Sequence, residues 1–489
     1  MLRERLGHVL VAGGGMTGWC AAAALKRRAP FLDVTILSCA PSPHALADRI
    51  ACTLPSLIGF QEDLGIGAAD GIVRAGSGYR LGTLFTGWAN GVPDYVHAYG
   101  RYGAAFGATA FHHHWVRAAQ DGSAVPFDRH SPAAAMARSG RFAAPKPGTP
   151  FADHEFGLTI DIARHASMMR AFALHVGVRE IPGEIGGVTL DADGAIATID
   201  LTDGTALGAD LFIDATGPEA RLRGAFGDDR DDWSAWLPCD RVLIAETNDE
   251  PMVLTTITAH EAGWRWASGV QSGFAYASTA ISDGKAARVL RNTTGTTPDE
   301  PIRVRAGTRP QPWRGNCIAI GDAATEIEPL EWCNLHLALS AIDRLIAMLP
   351  GRVPVPVEVV EFNRQTLAEA ERVRDFLAMH YHTARRDDPL WRATAATEAP
   401  ASLAHTLAQF AERGRLPFFE EETFARDSWA AVLIGQGFLP RRVDPLVSAV
   451  PVAATRAAMA RQVAAIAAAL PHVPTHAAYR ADQKRHLTR

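Results

Sequence analysis

The chain has 489 residues, 47% hydrophobic and 21% charged, with a formal net charge of −5. That is the make-up of a folded globular protein, and the length points to two interleaved domains or one large domain with insertions. The acidic balance argues against nucleic acid or an anionic membrane as the main partner, and no run approaches the roughly 18 apolar residues of a membrane span. The six cysteines are scattered without a C-x-x-C pair, as expected of reduced thiols in a cytoplasmic protein. The start does not resemble a signal peptide, since the first strand is itself expected to open the fold.

His8–Ala12 (HVLVA) reads as a buried strand and 19–25 (WCAAAAL) as a helix able to lie close against it. Between them Gly13, Gly15 and Gly18 fit the G-x-G-x-x-G dinucleotide fingerprint. The first allows the tight turn, the second admits a pyrophosphate and the third lets the helix approach the sheet, with the diphosphate on the free helix amides. A second strand, 34–37, runs into Ser38-Cys39-Ala40. The acid that should end this strand and take the ribose hydroxyls is missing, so Ser38 is expected as a neutral, weaker partner.

Residues 51–150 and 231–301 are rich in glycine, aromatic residues and histidine, and read as a sheet-containing layer over the nucleotide. Within them His112-His113-His114 is not a metal-binding pattern, because consecutive residues diverge on a helix or a strand. Residues 201–208 read as a polar turn and 209–217 as a strand. A further buried strand, 316–324, breaks at Gly321-Asp322 before a helix over 335–348. Strand, Gly-Asp, helix is an arrangement in which Asp322 accepts a ribityl hydroxyl of FAD and the helix N-terminus faces the flavin; the alternative is plain helix capping by Asp322. Beyond Pro356 the pattern is helical over 358–380, 400–413 and 453–470.

Several segments occur in a telling order: Gly13-Gly14-Gly15 with Gly18-Trp19, Thr53-Leu54-Pro55-Ser56-Leu57, Tyr79-Arg80 with Trp88, and Gly263-Trp264-Arg265-Trp266. Glu328-Pro329-Leu330-Glu331, Arg374-Asp375-Phe376, His380-Tyr381 and Trp429 with Gly435-Gln436-Gly437 follow. In these the chain resembles the flavin-dependent tryptophan halogenases over nearly its whole length. The resemblance implies an α/β fold: an FAD-binding Rossmann-like domain of the glutathione-reductase and hydroxybenzoate-hydroxylase type, interleaved with a mixed-sheet substrate layer and followed by a helical region. The expected boundaries are an FAD-binding domain over 1–350, built from about 1–50, 150–230 and 300–350, interleaved segments at about 51–150 and 231–300, and a helical cap over 351–489.

The resemblance also implies FAD, reduced by a separate flavin reductase, held by Gly13, Gly15, Met16, Thr17, Gly18, Ser38, Ile185, Gly321, Asp322, Asn334 and Leu335. It implies a small aromatic substrate stacked on His97 and Tyr99. In such enzymes an oxidant made from oxygen and halide at the flavin reaches a lysine and a glutamate beside the substrate. Here Arg80 stands at the lysine position and cannot be a neutral amine, while the glutamate is Glu331. Asp48-Arg49-Ile50-Ala51-Cys52-Thr53 replaces G-x-G-E-A-T, and Ser268-Gly269 replaces the Ile-Pro after the tryptophans. Trp332-Cys333-Asn334 replaces the S-T-G turn whose small residues and amides would cradle an anion.

The expectation is an FAD-dependent monooxygenase or halogenase-like oxidoreductase working with reduced flavin and oxygen on an aromatic or planar substrate, other than a standard tryptophan chlorinase. Glu331 and Arg80 are its catalytic pair, expected to face one another. A catalytically degenerate flavin- or ligand-binding protein and a halogenase of a non-tryptophan substrate are the alternatives. No metal is expected, and a homodimer is left open.

Overall fold

A computed structural model describes residues 5–247 and 249–487. The chain divides into two units, one made of 1–76, 160–242 and 302–371, the other of 77–159, 243–301 and 372–489. Residues 51–76 therefore belong with the nucleotide segments, and 372–489 share a unit with the interleaved segments instead of forming a cap of their own. The reason in the first case is that 56–75 is helical. Ser56–Leu64 packs on the helices Met16–Arg28 and Cys333–Ala347, and Ala68–Ala75 packs on Ile162–His175.

In the first unit β1 (His8–Ala12) is apolar on both faces and lies inside a six-stranded sheet, as continuous apolar strands do. The order is Trp313–Arg314, Cys317–Ala319, Leu211–Asp214, β1, β2 (Asp33–Leu37) and Arg179–Ile181, parallel throughout except for the hairpin between the first two. Helix α1 (Met16–Arg28) follows β1 with its alanines fully buried. Gly13 has φ 137, and a Cβ on Gly18 would lie 2.0 Å from the Gly13 carbonyl oxygen, so only glycine permits this approach. Ile185–Leu190, Ile196–Leu201 and Ala206–Leu207 form an antiparallel sheet, so the stretch read as a polar turn holds a short third strand. Leu10, Leu37, Cys39, Ile185, Ile199 and Phe212 share one buried cluster with it.

Glu369 ties two helices of this unit together. It accepts from Ser340 Oγ at 2.7 Å and Arg344 Nη2 at 3.0 Å, and His336 Nε2 lies 3.2 Å from its other oxygen. Burial alone would raise its carboxyl, yet the His336, Arg344 and Ser340 contacts hold it down at about 2.

The second unit is built on a mixed sheet ordered 243–246, Gln271–Tyr276, Gly263–Ala267, Leu254–His260, Gly82–Thr86 and Tyr95–Ala98. The pairing of Gly82–Thr86 with Leu254–His260 is parallel, while the neighbouring pairs are antiparallel. A Cβ on Gly273 would sit 2.1 Å from the Trp266 ring, so the indole occupies the space the glycine leaves. All six cysteines are buried free thiols. No helix among the described residues is long and apolar enough to cross a membrane.

Candidate flavin and substrate sites

The N-terminus of α1 begins at Gly15, which offers no side-chain cap, and its first turn carries no acid. Its amides are nonetheless engaged. Asp48, at the end of the single turn Leu46–Asp48, accepts from Thr17 N–H at 2.7 Å and Thr17 Oγ1 at 2.9 Å, and also from Met16 N–H. A Cβ on Gly15 would lie 2.0 Å from Asp48 Oδ2. The cleft that Gly15 leaves open and the amides read as a pyrophosphate seat are thus held by the chain's own carboxylate. Burial pushes the Asp48 carboxyl above its ordinary value. Reading along the sequence gives Asp48 no role, because the contact joins positions outside any local motif.

Gly321 takes φ 59, a conformation that favours glycine, and packs against Thr17 and Ala338. Asp322 lies in the turn Gly321–Ala323 and does not cap the following helix. A short strand, Thr325–Glu326, and the turn Leu330–Trp332 intervene before Cys333–Ala347 starts. Asp322 Oδ2 accepts from Ala47 N–H at 2.8 Å. Asp322 Oδ1 and Asn334 Oδ1 have no hydrogen-bond partner among the described residues, although both residues are 3% exposed. Such orphaned buried acceptors cost about 1–3 kcal/mol each. Hydroxyl and N–H donors, which a ribityl chain and a flavin ring carry, would satisfy them. Burial, with the Glu326 and Asp48 carboxylates nearby, pushes the Asp322 carboxyl well up. This end of the groove fits FAD; the diphosphate end is contested by Asp48.

The other expected contacts divide. Leu335 is buried in the first turn of its helix. The Ile185 side chain belongs to the core cluster, and its carbonyl accepts from Arg221. Beside Ser38 there is an acid after all: Glu180, which pairs with Ile36 across the sheet, is bonded by both Arg170 and the Ser38 hydroxyl and is held below the usual carboxylate range. It comes from the neighbouring strand, which no count along β2 can reveal.

Glu331 and Trp332 are consecutive, fully buried and both left-handed, with φ 58 and 67. Each non-glycine residue in that region costs on the order of 1–3 kcal/mol and persists where its surroundings over-determine it, commonly at functional sites. The Cys333 thiol lies 3.7 Å from the Glu331 carbonyl oxygen, and burial raises its pKa far out of the physiological range. Where the resemblance leads one to expect small residues, a buried indole fills the turn.

Arg80 lies in the second unit, on the strand Gly78–Arg80 paired with Gly157–Thr159. It is fully buried. Its Nε donates to Thr255 Oγ1 at 2.8 Å, Nη2 to Thr83 Oγ1 at 2.7 Å and Nη1 to the Tyr99 hydroxyl. His97 sits beside Tyr99, but Phe376 and Phe424 also press on it, with ring centres 5.7 and 6.2 Å away, and stack on each other at 3.7 Å. Phe424 lines a cavity of about 330 Å³ together with Phe418, Phe419, Trp429, Arg372 and Glu422. The Arg372 guanidinium lies 3.8 Å from the Phe419 ring centre and 4.7 Å from that of Trp429, and donates to Glu422 at 2.9 and 3.0 Å. Aromatic walls beside the fixed Arg372–Glu422 pair suit a flat ligand. Neither the Phe376–Phe424 stack nor this cavity is legible in the sequence.

The triple histidine lies on the helix Phe111–Gln120. His112 Nε2 faces the Gly414 carbonyl at 2.8 Å, and His114 contacts Arg117. Trp264 donates to the Tyr381 hydroxyl at 3.1 Å, with Trp266 packed beside it.

The profile of the Tryptophan halogenase family matches residues 8–452. Tryptophan 7-halogenase RebH of Lentzea aerocolonigenes is 28% identical over 430 residues, covering 80% of this chain and 79% of that protein. BrvH, a flavin-dependent halogenase from Brevundimonas sp. BAL3, is 32% identical with a TM-score of 0.90, covering 98% of this chain and 99% of its own. Xcc4156, a flavin-dependent halogenase from Xanthomonas campestris, is likewise 32% identical, with a TM-score of 0.91 over 97% and 98% of the two chains. The chain belongs to the tryptophan halogenase family, flavin-dependent enzymes that use FAD with the reduced flavin supplied by a separate reductase.

Proposed function

We propose that this protein is a flavin-dependent oxidoreductase that inserts oxygen into a small aromatic or planar substrate and does not chlorinate free tryptophan. The observation that carries this reading is Arg80. Its side chain is a guanidinium, not an amine, and is committed through three nitrogens to Thr255, Thr83 and Tyr99. It therefore cannot supply the neutral amine that would carry or relay an electrophilic halogen, but it can fix the Tyr99 ring and present positive charge to a polarised oxygen. Bound reduced flavin would supply the two electrons and the site of oxygen activation.

The chain's own residues do the rest. Glu331, fully buried on its left-handed backbone, is the acid–base group assigned to the reaction. Phe418, Phe419, Phe424 and Trp429 offer the flat apolar surface, and Arg372 with Glu422 selects a polar substituent. Trp332 in the anion-cradling turn counts against a halide site.

The test is turnover with FAD, a flavin reductase, oxygen and a panel of indoles and phenols, with and without chloride or bromide, read by mass spectrometry. The expected product carries oxygen and is formed equally without halide; a halogenated product refutes the reading. A second reading, a flavin-binding homologue without turnover, is favoured by Asp48 in the diphosphate seat. Flavin binding with no oxidised product across the panel would support it.

A further inference from the structure

We infer that Asp48 is a built-in occupant of the diphosphate seat, which FAD must displace, and that it sets how tightly this chain holds the dinucleotide. The inference rests on the family's use of FAD and concerns a side chain that the glycine fingerprint does not include.

The geometry is that of an anion on a helix N-terminus. Asp48 Oδ1 accepts from the Thr17 amide and hydroxyl, and the same carboxylate accepts from the Met16 amide, the donors a phosphate group would take. Its Oδ2 fills the space over Gly15, so a phosphate oxygen and Asp48 cannot share it. The turn that carries Asp48 is anchored at its other end, because Ala47 N–H donates to Asp322 Oδ2. One short turn thus bridges the amides of α1 and the acid expected to meet the ribityl chain.

A second observation points independently to a ligand in this groove. Asp322 Oδ1 and Asn334 Oδ1 are buried, without partners among the described residues, and ask for donors from outside the chain. The groove therefore satisfies its anion-binding end internally and leaves its acceptor end open. Binding of FAD is an exchange at the first end and an addition at the second. A diphosphate entering with Asp48 still in place would set two negative charges against that carboxylate and close to Asp322.

The test compares FAD with riboflavin, which lacks the diphosphate, on the full-length wild type, D48A and the near-isosteric D48N, by fluorescence quenching and calorimetry. D48A is expected to bind FAD about tenfold more tightly, about 1.4 kcal/mol, and D48N about threefold, while riboflavin changes less than about twofold. Inorganic pyrophosphate is expected to bind D48A and not the wild type. FAD affinity unchanged or weakened in folded D48N overturns the inference, and so does an equal gain for riboflavin. Tight binding of pyrophosphate to the wild type overturns it without any variant. Equal FAD binding by all three proteins leaves the flavin-dependent reading intact and removes only Asp48; no FAD binding by any of them removes both.

Discussion

Replacing Arg80 by lysine tests whether the buried guanidinium is a fixed scaffold or an interchangeable cation. Among its contacts Arg80 donates to three hydroxyls, Thr255, Thr83 and Tyr99, in a place with no access to water. A single ammonium on a shorter, unbranched end can keep one of them. Hydrogen bonds to a charged donor contribute roughly 1.5–3 kcal/mol each, and the freed threonine hydroxyls can turn to other acceptors, so the lower figure applies. Two lost bonds at the lower figure give a destabilisation of about 3 kcal/mol. Arg80→Met loses all three and should cost about 4–5 kcal/mol. Urea unfolding of the flavin-free protein, followed by circular dichroism and tryptophan fluorescence, reads this as a shift in midpoint at constant slope. Turnover should fall by no more than about tenfold in Arg80→Lys, since a hydrogen-bonding cation remains. A lysine variant within about 0.5 kcal/mol of wild type would refute the reasoning, because the three hydroxyls would then not be what holds the arginine.

Glu331→Gln should abolish product formation while leaving FAD affinity within about twofold, checked by turnover and flavin titration on one preparation; full activity would remove the residue from the catalytic assignment. Omitting chloride and bromide should leave both flavin reoxidation and product yield unchanged. Glu369→Gln should cost about 3 kcal/mol at pH 7, from a carboxyl held at about 2 against an ordinary 4.5. A depressed folded-state value stabilises above the unfolded value and is lost as pH falls, so wild type and variant should converge between about pH 4.5 and 2, measured as urea midpoints.

What could be read in advance follows from how local each signal is. β1, β2, Leu211–Asp214 and Cys317–Ala319 are short apolar runs closed by glycine, serine or aspartate, and strands buried on both faces must look like this. The Gly13–Gly18 turn is legible for the same reason, since its sterics act over six residues. Asp48 is not, because its partners lie on α1 and the choice between phosphate and carboxylate on those amides is made in three dimensions. Glu180 is hidden from a linear reading because the acid beside Ser38 belongs to a neighbouring strand. The expected His97 and Tyr99 clamp came from resemblance, whereas the rings that close on His97, Phe376 and Phe424, come from distant helical and loop segments. In the sequence residues 51–76 look like part of a sheet layer, because glycine and proline there obscure two short helices.

The parallel pairings carry a consequence for how a nascent chain reaches this structure. β1 needs Leu211–Asp214 on one side, and that strand needs Cys317–Ala319 on its own far side. Gly82–Thr86 waits in the same way for Leu254–His260. Each unit's sheet is closed by chain that leaves the ribosome only after the other unit has begun, so neither can finish as an early, self-contained domain. Closing such long loops is slow, and the exposed strand edges must stay unpaired in the meantime. Expression should therefore depend on chaperones that hold the growing polypeptide, and cutting the gene at a unit boundary should release two insoluble fragments and no folded half.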